Sequence, residues 1–133
     1  MSDQRGALRH VVVVGASLAG LRSCETLRQE GFNGPLVFVG DETEVPYDRP
    51  PLSKKLLAGD WEPDRIRLRK TDDLDGLELD LRLGSPAVAL DTAAQRVTLG
   101  SGDVVEYDAL VVATGATVRT LPGQPAWPGV HAL

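Results

Sequence analysis

VVVVGASLAG, residues 11–20, decides how the rest of the chain reads. Four consecutive valines lack the polar alternation of a half-exposed strand and run straight into Gly15, as a parallel strand covered on both faces does. From Ser17 to Glu30 the period changes. Leu18, Leu21, Cys24 and Leu27 return every third residue, while Arg22, Ser23, Glu25, Arg28 and Gln29 fill the other face. This pattern predicts an amphipathic helix, with Ser17 as its N-cap and Gly31 just past its end. A second apolar run, Leu36 to Val39, completes a strand, glycine turn, helix and strand, the βαβ unit whose crossover is almost always right-handed. Ala109 to Ala113 is a third run of the same kind, and all three are expected to be central strands.

Between these runs the pattern is less regular. Pro46, Pro50 and Pro51 predict a loop over residues 41–51, followed by one or two helical turns from Leu52 to Ala58 that stop at Gly59. Thr71 to Leu77 predicts a short helix capped by Thr71. Leu77, Leu79, Leu81 and Leu83 alternate with Glu78, Asp80 and Arg82, which predicts a half-exposed strand. Ala87 to Leu90, Arg96 to Leu99 and Val104 to Tyr107 also alternate. The turn-rich stretches 91–94 and 100–103 between them predict a small antiparallel meander. From Leu121 onward, Pro122, Gly123, Pro125, Pro128 and Gly129 predict coil.

Size and composition narrow the function classes. The 133 residues, 42% hydrophobic and 25% charged, fit one globular domain. Lys and Arg total 14 against 19 Asp and Glu, a formal charge of −5 that argues against binding nucleic acid through bulk charge. A single cysteine, Cys24, rules out an internal disulfide, a CxxC redox pair and a cysteine zinc site. The start, Met1 to His10, is polar, and the apolar run after it is too short for a signal-peptide core or a membrane span. No membrane partner is expected, and the cytoplasm is the expected location.

Three stretches carry chemistry. Gly15-Ala16-Ser17-Leu18-Ala19-Gly20 has the spacing of the dinucleotide fingerprint, with Ser17 where the middle glycine usually stands. The first glycine allows the tight turn and the last lets helix and strand pack closely. A serine hydroxyl can donate to a phosphate oxygen, and the helix N-terminus offers free N–H groups and the positive end of its dipole. About twenty residues further on, where a carboxylate would grip ribose hydroxyls, stand Asp41 and Glu42, and either fits. The same residues also fit a ligand-free turn and a solvated acidic bend. PYDRPPLSK, residues 46–54, places Arg49 and Lys54 on a segment stiffened by Pro50 and Pro51. Two such cations can neutralise a phosphate or a developing anion, or simply be solvated surface charges. YDALVVATG, residues 107–115, is a strand opening into Thr114-Gly115, where released backbone N–H groups can meet a second part of a nucleotide.

VVVVGASLAG, VGDE, PYDRPPLSK and YDALVVATGA, in this order and spacing, resemble the FAD half of the ferredoxin-reductase family of flavoproteins, across about residues 9–133. The resemblance implies an α/β, Rossmann-like FAD-binding fold of three layers, a mainly parallel sheet with one flanking helix and an antiparallel meander on the other face. Residues 1–120 would be the first segment of an FAD/NAD(P)-binding domain and residues 121–133 a coil or linker. It implies that Gly15, Ser17, Leu18, Ala19 and Gly20 line the FAD pyrophosphate and that Asp41 or Glu42 meets the adenosine ribose. Arg49, Pro50 and Lys54 would lie near the flavin, with Lys54 beside its reactive face and tuning its potential. Ala87 would meet the adenine, and Ala113, Thr114 and Gly115 would form the second cofactor-contacting strand end. The implied activity is electron transfer from NAD(P)H through FAD to an iron–sulfur carrier, a ferredoxin or rubredoxin, with no resident metal and no acid–base residue.

The chain departs from the family pattern at Val118, where a proline usually precedes the arginine matched by Arg119. Family members are also about three times as long, with an NAD-binding domain and further FAD-binding segments. This sequence holds no second glycine fingerprint and stops at His131-Ala132-Leu133, where the family continues with a cofactor-holding arginine. The expectation is therefore a truncated FAD-binding part that lacks the nicotinamide site and does not turn over alone. The alternative is a non-catalytic nucleotide-binding or interaction module, self-associating through surface left open.

Overall fold

Successive side chains of a strand point to opposite faces. In the computed structural model, which describes residues Leu8 to His131, the valines of β1 (Val11–Val14) divide accordingly. Val11 and Val13 join Leu36 and Phe38 of β2 (Leu36–Val39) beneath α1 (Leu18–Gln29), where Leu21 and Cys24 close the cluster. Val12, Val14, Val37 and Val39 face the other way, onto Val97, Leu99 and Val105. Those three come from a separate antiparallel sheet of β4 (Ala87–Asp91), β5 (Arg96–Leu99) and β6 (Val104–Glu106). Helix, parallel sheet and meander are thus the three layers, in accord with the α/β class expected. Each fully buried Val, Leu or Phe contributes about 1.5–3 kcal/mol, so the two faces of β1 and β2 hold the layers together.

The parallel sheet is ordered β3-β2-β1-β7, with β3 at Asp80–Arg82 and β7 at Ala109–Val112. Val11 stands level with Leu36 on one side and Ala109 on the other. Only two of the three apolar runs are therefore interior strands. Among the described residues β7 pairs with β1 alone, and Val112 is 65% exposed, so its apolar composition does not reflect cover on both sides.

The strand expected over Leu77–Leu83 shrinks to β3. Glu78 takes a left-handed φ of 50°, which breaks the extended run, while Leu77 and Leu79 turn into the α1-side core. The short helix there, α2 (Thr71–Asp75), is capped by Lys70, and Thr71 is its first residue instead of its cap. Starting with the two prolines, Pro50–Ser53 forms a tight 3-10 turn, and looser turns carry the chain to Gly59 in place of a regular helix. A further 3-10 turn at Pro63–Ile66 and an antiparallel bridge between Tyr47 and Arg67 have no counterpart in the sequence pattern. From Leu121 to His131 the chain forms only turns and coil. Met1–Ala7 and Ala132–Leu133 lie outside the described residues, and the polar start and the chain end read above fall there in part. Among the described residues no helix is long and apolar enough to cross a membrane.

Two charged residues on α1 leave the solvated face assigned to them. Glu25 is buried, and its carboxylate accepts hydrogen bonds from Arg22 at 2.6 Å and from Arg69 at 2.5 Å, tying the helix to the segment before α2. Burial pushes the Glu25 carboxyl up, but the hydrogen bonds and charges of Arg69 and Arg22 outweigh it and hold the group below its ordinary value. Arg28 donates to the carbonyls of Leu77, Phe32, Gly34 and Glu78, clamping the end of α1 to the turn before β2 and to the approach to β3.

Glu25→Gln should lower the unfolding free energy at pH 7 by about 1–3 kcal/mol, because two guanidiniums lose their shared anion. With its folded value depressed, Glu25 contributes fully above the unfolded carboxylate value of about 4.3, and the contribution is lost as pH falls through the folded value. Urea unfolding from pH 7 to pH 3 should therefore show the wild type converging on the variant only at the acid end.

Candidate dinucleotide site

The carboxyl ends of β1, β2 and β7 meet in a space that side chains would fill. Gly15 leaves β1 with φ +114°, and its N–H donates to Val39 O at 2.8 Å. A Cβ at this position would sit 2.0 Å from Ala113 O, at the end of β7. One turn into α1, a Cβ on Gly20 would sit 1.9 Å from Gly15 O and 2.8 Å from the Phe38 ring. No side chain fits at either position, so backbone lies directly on backbone where the three strands end. A Cβ on Gly40, at the end of β2, would come 2.6 Å from that of Ala16.

The result is a groove lined by Gly15, Ala16 and Ser17 after β1, by Gly40, Asp41, Glu42 and Arg49 after β2, and by Ala113 and Thr114 after β7. It continues past Asp41 and Thr114 to Pro86 and Ala87, where β4 begins. α1 points its open end here. Its first intrahelical bond runs from Leu21 N–H to Ser17 O, so the amides of Leu18, Ala19 and Gly20 have no intrahelical acceptor. The Ser17 hydroxyl does not cap them, and the first turn holds no acidic side chain. Free donors and an uncompensated dipole make this end favourable to an anion.

The two adjacent carboxylates differ in their surroundings. Asp41 is exposed in both stretches of the groove, and one of its oxygens accepts from the Glu42 backbone N–H at 3.0 Å. Glu42 has both oxygens engaged: Tyr47 Oη donates to Oε2 at 2.6 Å, and Arg49 Nη2 donates to Oε1 at 2.5 Å. The Arg49 guanidinium also lies over the Tyr47 ring, 5.5 Å from its centroid. The bond to the Glu42 carboxylate, with burial behind it, raises the Tyr47 phenol above its ordinary value.

Of the residues singled out in the sequence, the groove gathers Gly15, Ser17, Asp41, Glu42, Arg49, Ala87, Ala113 and Thr114. Gly20 is buried behind the groove as a packing contact, while Leu18 and Ala19 are exposed and do not line it. Gly115, with φ +69°, lies beyond the rim. Pro50 and Lys54 sit outside it as well: Pro50 starts the 3-10 turn, and the exposed Lys54 ammonium donates to Pro50 O at 3.3 Å. Sequence reasoning passed over Tyr47, Gly40 and Pro86. For Tyr47 no signal was available, because a loop between Glu42 and Arg49 has no period to say which side chains meet.

Beside the groove, Val14, Val88, Leu90, Val97, Leu110 and Val112 line an apolar cleft of about 260 Å³ between β7 and the meander. Cys24 lines neither, being fully buried on the core face of α1, and burial pushes its thiol up to about 12. It is a packing residue.

A glycine-lined groove at the carboxyl ends of parallel strands, facing an open helix N-terminus, defines a dinucleotide-binding protein of the Rossmann-like class. The family model for pyridine nucleotide-disulphide oxidoreductases matches residues 9–132. Rhodocoxin reductase of Rhodococcus erythropolis is 44% identical over 92% of this chain and 29% of its own length. The ferredoxin–NAD(+) reductase subunit of the benzene 1,2-dioxygenase system of Pseudomonas putida is 37% identical over 93% of this chain and 30% of its own. In the crystal structure of the covalent putidaredoxin reductase–putidaredoxin complex, one chain aligns with a TM-score of 0.82 at 38% identity, covering 86% of this chain and 27% of that one. The chain belongs to the pyridine nucleotide-disulphide oxidoreductase family. It spans less than a third of the length of these relatives, and its one cysteine supplies no disulphide of its own.

With Tyr107→Phe as background to leave a single tyrosine, the 295 nm absorbance titration of Tyr47 should lie above the ordinary tyrosine midpoint of about 10. Glu42→Gln should move it down towards that value, since the neighbouring carboxylate is the main cause of the rise.

Proposed function

We propose that this chain is the FAD-binding part of an NAD(P)H-dependent reductase of the ferredoxin or rubredoxin type, with a cytoplasmic location. The observation that supports this best is the backbone cradle at Gly15, Gly20 and Ala113, open to the N-terminus of α1 and flanked by Arg49 and Asp41. These residues fit the adenosine diphosphate half of FAD. The helix amides and the Ser17 hydroxyl would take the pyrophosphate, Arg49 would balance its charge, and Asp41 is free to accept from the ribose diol. Ala87, Ala113 and Thr114 would face the adenosine portion from the meander and β7. When bound, FAD supplies the exchange between hydride and single electrons, and the protein contributes orientation, charge and exclusion of water. Lys54, on the same proline-stiffened segment as Arg49, is proposed to tune the flavin potential. Residues 1–120 are proposed as the first segment of the domain and residues 121–133 as the coil or linker that follows.

The electron acceptor in this reading is an iron–sulfur carrier, the type of partner named in the ferredoxin reductase of the benzene dioxygenase system. A non-catalytic nucleotide-binding module that self-associates is the second reading. The observation in its favour is the flank of β7 that no described strand pairs, beside exposed Val88, Leu90 and Val112. Sedimentation velocity from low to high micromolar concentration tests self-association. A shift towards dimer that Val112→Lys abolishes would support it, and a constant monomer would exclude it.

Visible absorption before and after incubation with FAD and desalting tests the first reading. Retained flavin bands, weakened by Arg49→Ala, are expected, and Lys54→Ala should then lower the reduction potential of the bound flavin. A chain that takes up no FAD at high micromolar concentration would refute the reading.

A further inference from the structure

Glu42 and Asp41 are neighbours in sequence at the place where a ribose-binding carboxylate belongs, yet the structure gives them different work. Both Glu42 oxygens are taken, one by the Tyr47 hydroxyl and one by Arg49, and the guanidinium lies over the Tyr47 ring. The three side chains therefore close a ring: hydroxyl to carboxylate, carboxylate to guanidinium, guanidinium to aromatic face. An exposed arginine is ordinarily mobile, with about 2 kcal/mol of rotamer entropy to lose when it orders on a ligand. Arg49, with its side chain 54% exposed, is held at the groove wall before any ligand arrives. The backbone at Tyr47 is held by its antiparallel bridge to Arg67, closed by the bonds from Asp48 N–H to Ile66 O and from Leu68 N–H to Pro46 O.

We propose that Tyr47 and Glu42 are positioning residues that fix the Arg49 guanidinium for the phosphates of an adenine nucleotide, leaving Asp41 as the carboxylate that accepts from the ribose. The inference rests on the nucleotide-binding reading above and assigns roles within that groove. A guanidinium has five N–H donors, and the Glu42 contact uses one nitrogen, so Arg49 keeps donors for a phosphate. Tyr47 never touches the ligand in this scheme. Its hydroxyl sets the carboxylate and its ring sets the plane of the guanidinium.

The test is a calorimetric series with adenosine, AMP and ADP on the full chain, with thermal unfolding run alongside to show that each variant is folded. Wild type should gain affinity at each added phosphate. Arg49→Ala should remove roughly 10-fold or more of the gain from adenosine to ADP while leaving adenosine itself unchanged. Tyr47→Phe keeps the ring and loses the hydroxyl. It should remove about 3-fold of the same gain and have no further effect in the Arg49→Ala background, because it acts through Arg49 alone. Asp41→Asn should weaken adenosine and ADP by the same factor, and should matter less for 2′-deoxyadenosine.

If wild type binds ADP but Tyr47→Phe matches it, or weakens adenosine as much as ADP, the positioning role is wrong and the nucleotide site stands. Additive losses for Tyr47→Phe and Arg49→Ala would also overturn it, since the two would then act independently. If wild type binds neither ADP nor FAD, the nucleotide reading falls and this assignment falls with it.

Discussion

Backbone packed against backbone at the carboxyl end of β1 is the constraint on which the rest of the molecule depends. Gly15 and Gly20 leave no room for a Cβ: one at Gly15 would drive β1 from the end of β7 at Ala113 O, and one at Gly20 would drive α1 from the end of β1 at Gly15 O. That closeness brings Leu21 and Cys24 onto Val11, Val13 and Phe38, and so completes the core on the helix side. It also leaves the first N–H groups of α1 at the strand ends without intrahelical acceptors. Packing density and an anion-accepting groove are two results of one geometric requirement.

Charge at the site is arranged by the same economy. The chain carries a net −5, which disfavours anions at long range, so attraction for a phosphate has to be local. The open helix end and one arginine supply it. Glu42 pairs with that arginine through a single guanidinium nitrogen, Nη2, so the other Arg49 donors lie outside that contact. Glu25 shows the opposite arrangement. There, two arginines converge on one buried carboxylate, and the pair serves the fold instead of a ligand.

What the sequence made legible was local and periodic. Four valines, a helix of period three to four and a second apolar run are enough to place β1, α1, β2 and the groove between them, because each neighbour is only a few residues away. Interactions that join distant segments left no such trace. Arg69 reaches Glu25 across 44 positions and Arg28 reaches Leu77 across 49, so two residues that look like solvated charges on a helical wheel prove to be structural. β7 read as an interior strand because apolar composition reports hydrophobic neighbours without counting them. Thr71 looked like a cap for the short helix, yet the chain turns one residue earlier, at Lys70.

The uniformity of β1 leaves a question of register. In most strands a slide by one residue exchanges an apolar face for a polar one, and that cost fixes the alignment. Four identical valines make such a slide less costly, since valine arrives again at three of the four positions. Alignment here is set from the two ends. Before β1, the Asp108 carboxylate accepts from the backbone N–H groups of both Arg9 and His10, at 3.0 and 2.7 Å, pinning the entry to the start of β7. After β1, only Gly15 can occupy the place against Ala113 O. The strand behaves like a plain rod between two keyed sockets, and those sockets, not its own sequence, determine where it stops sliding.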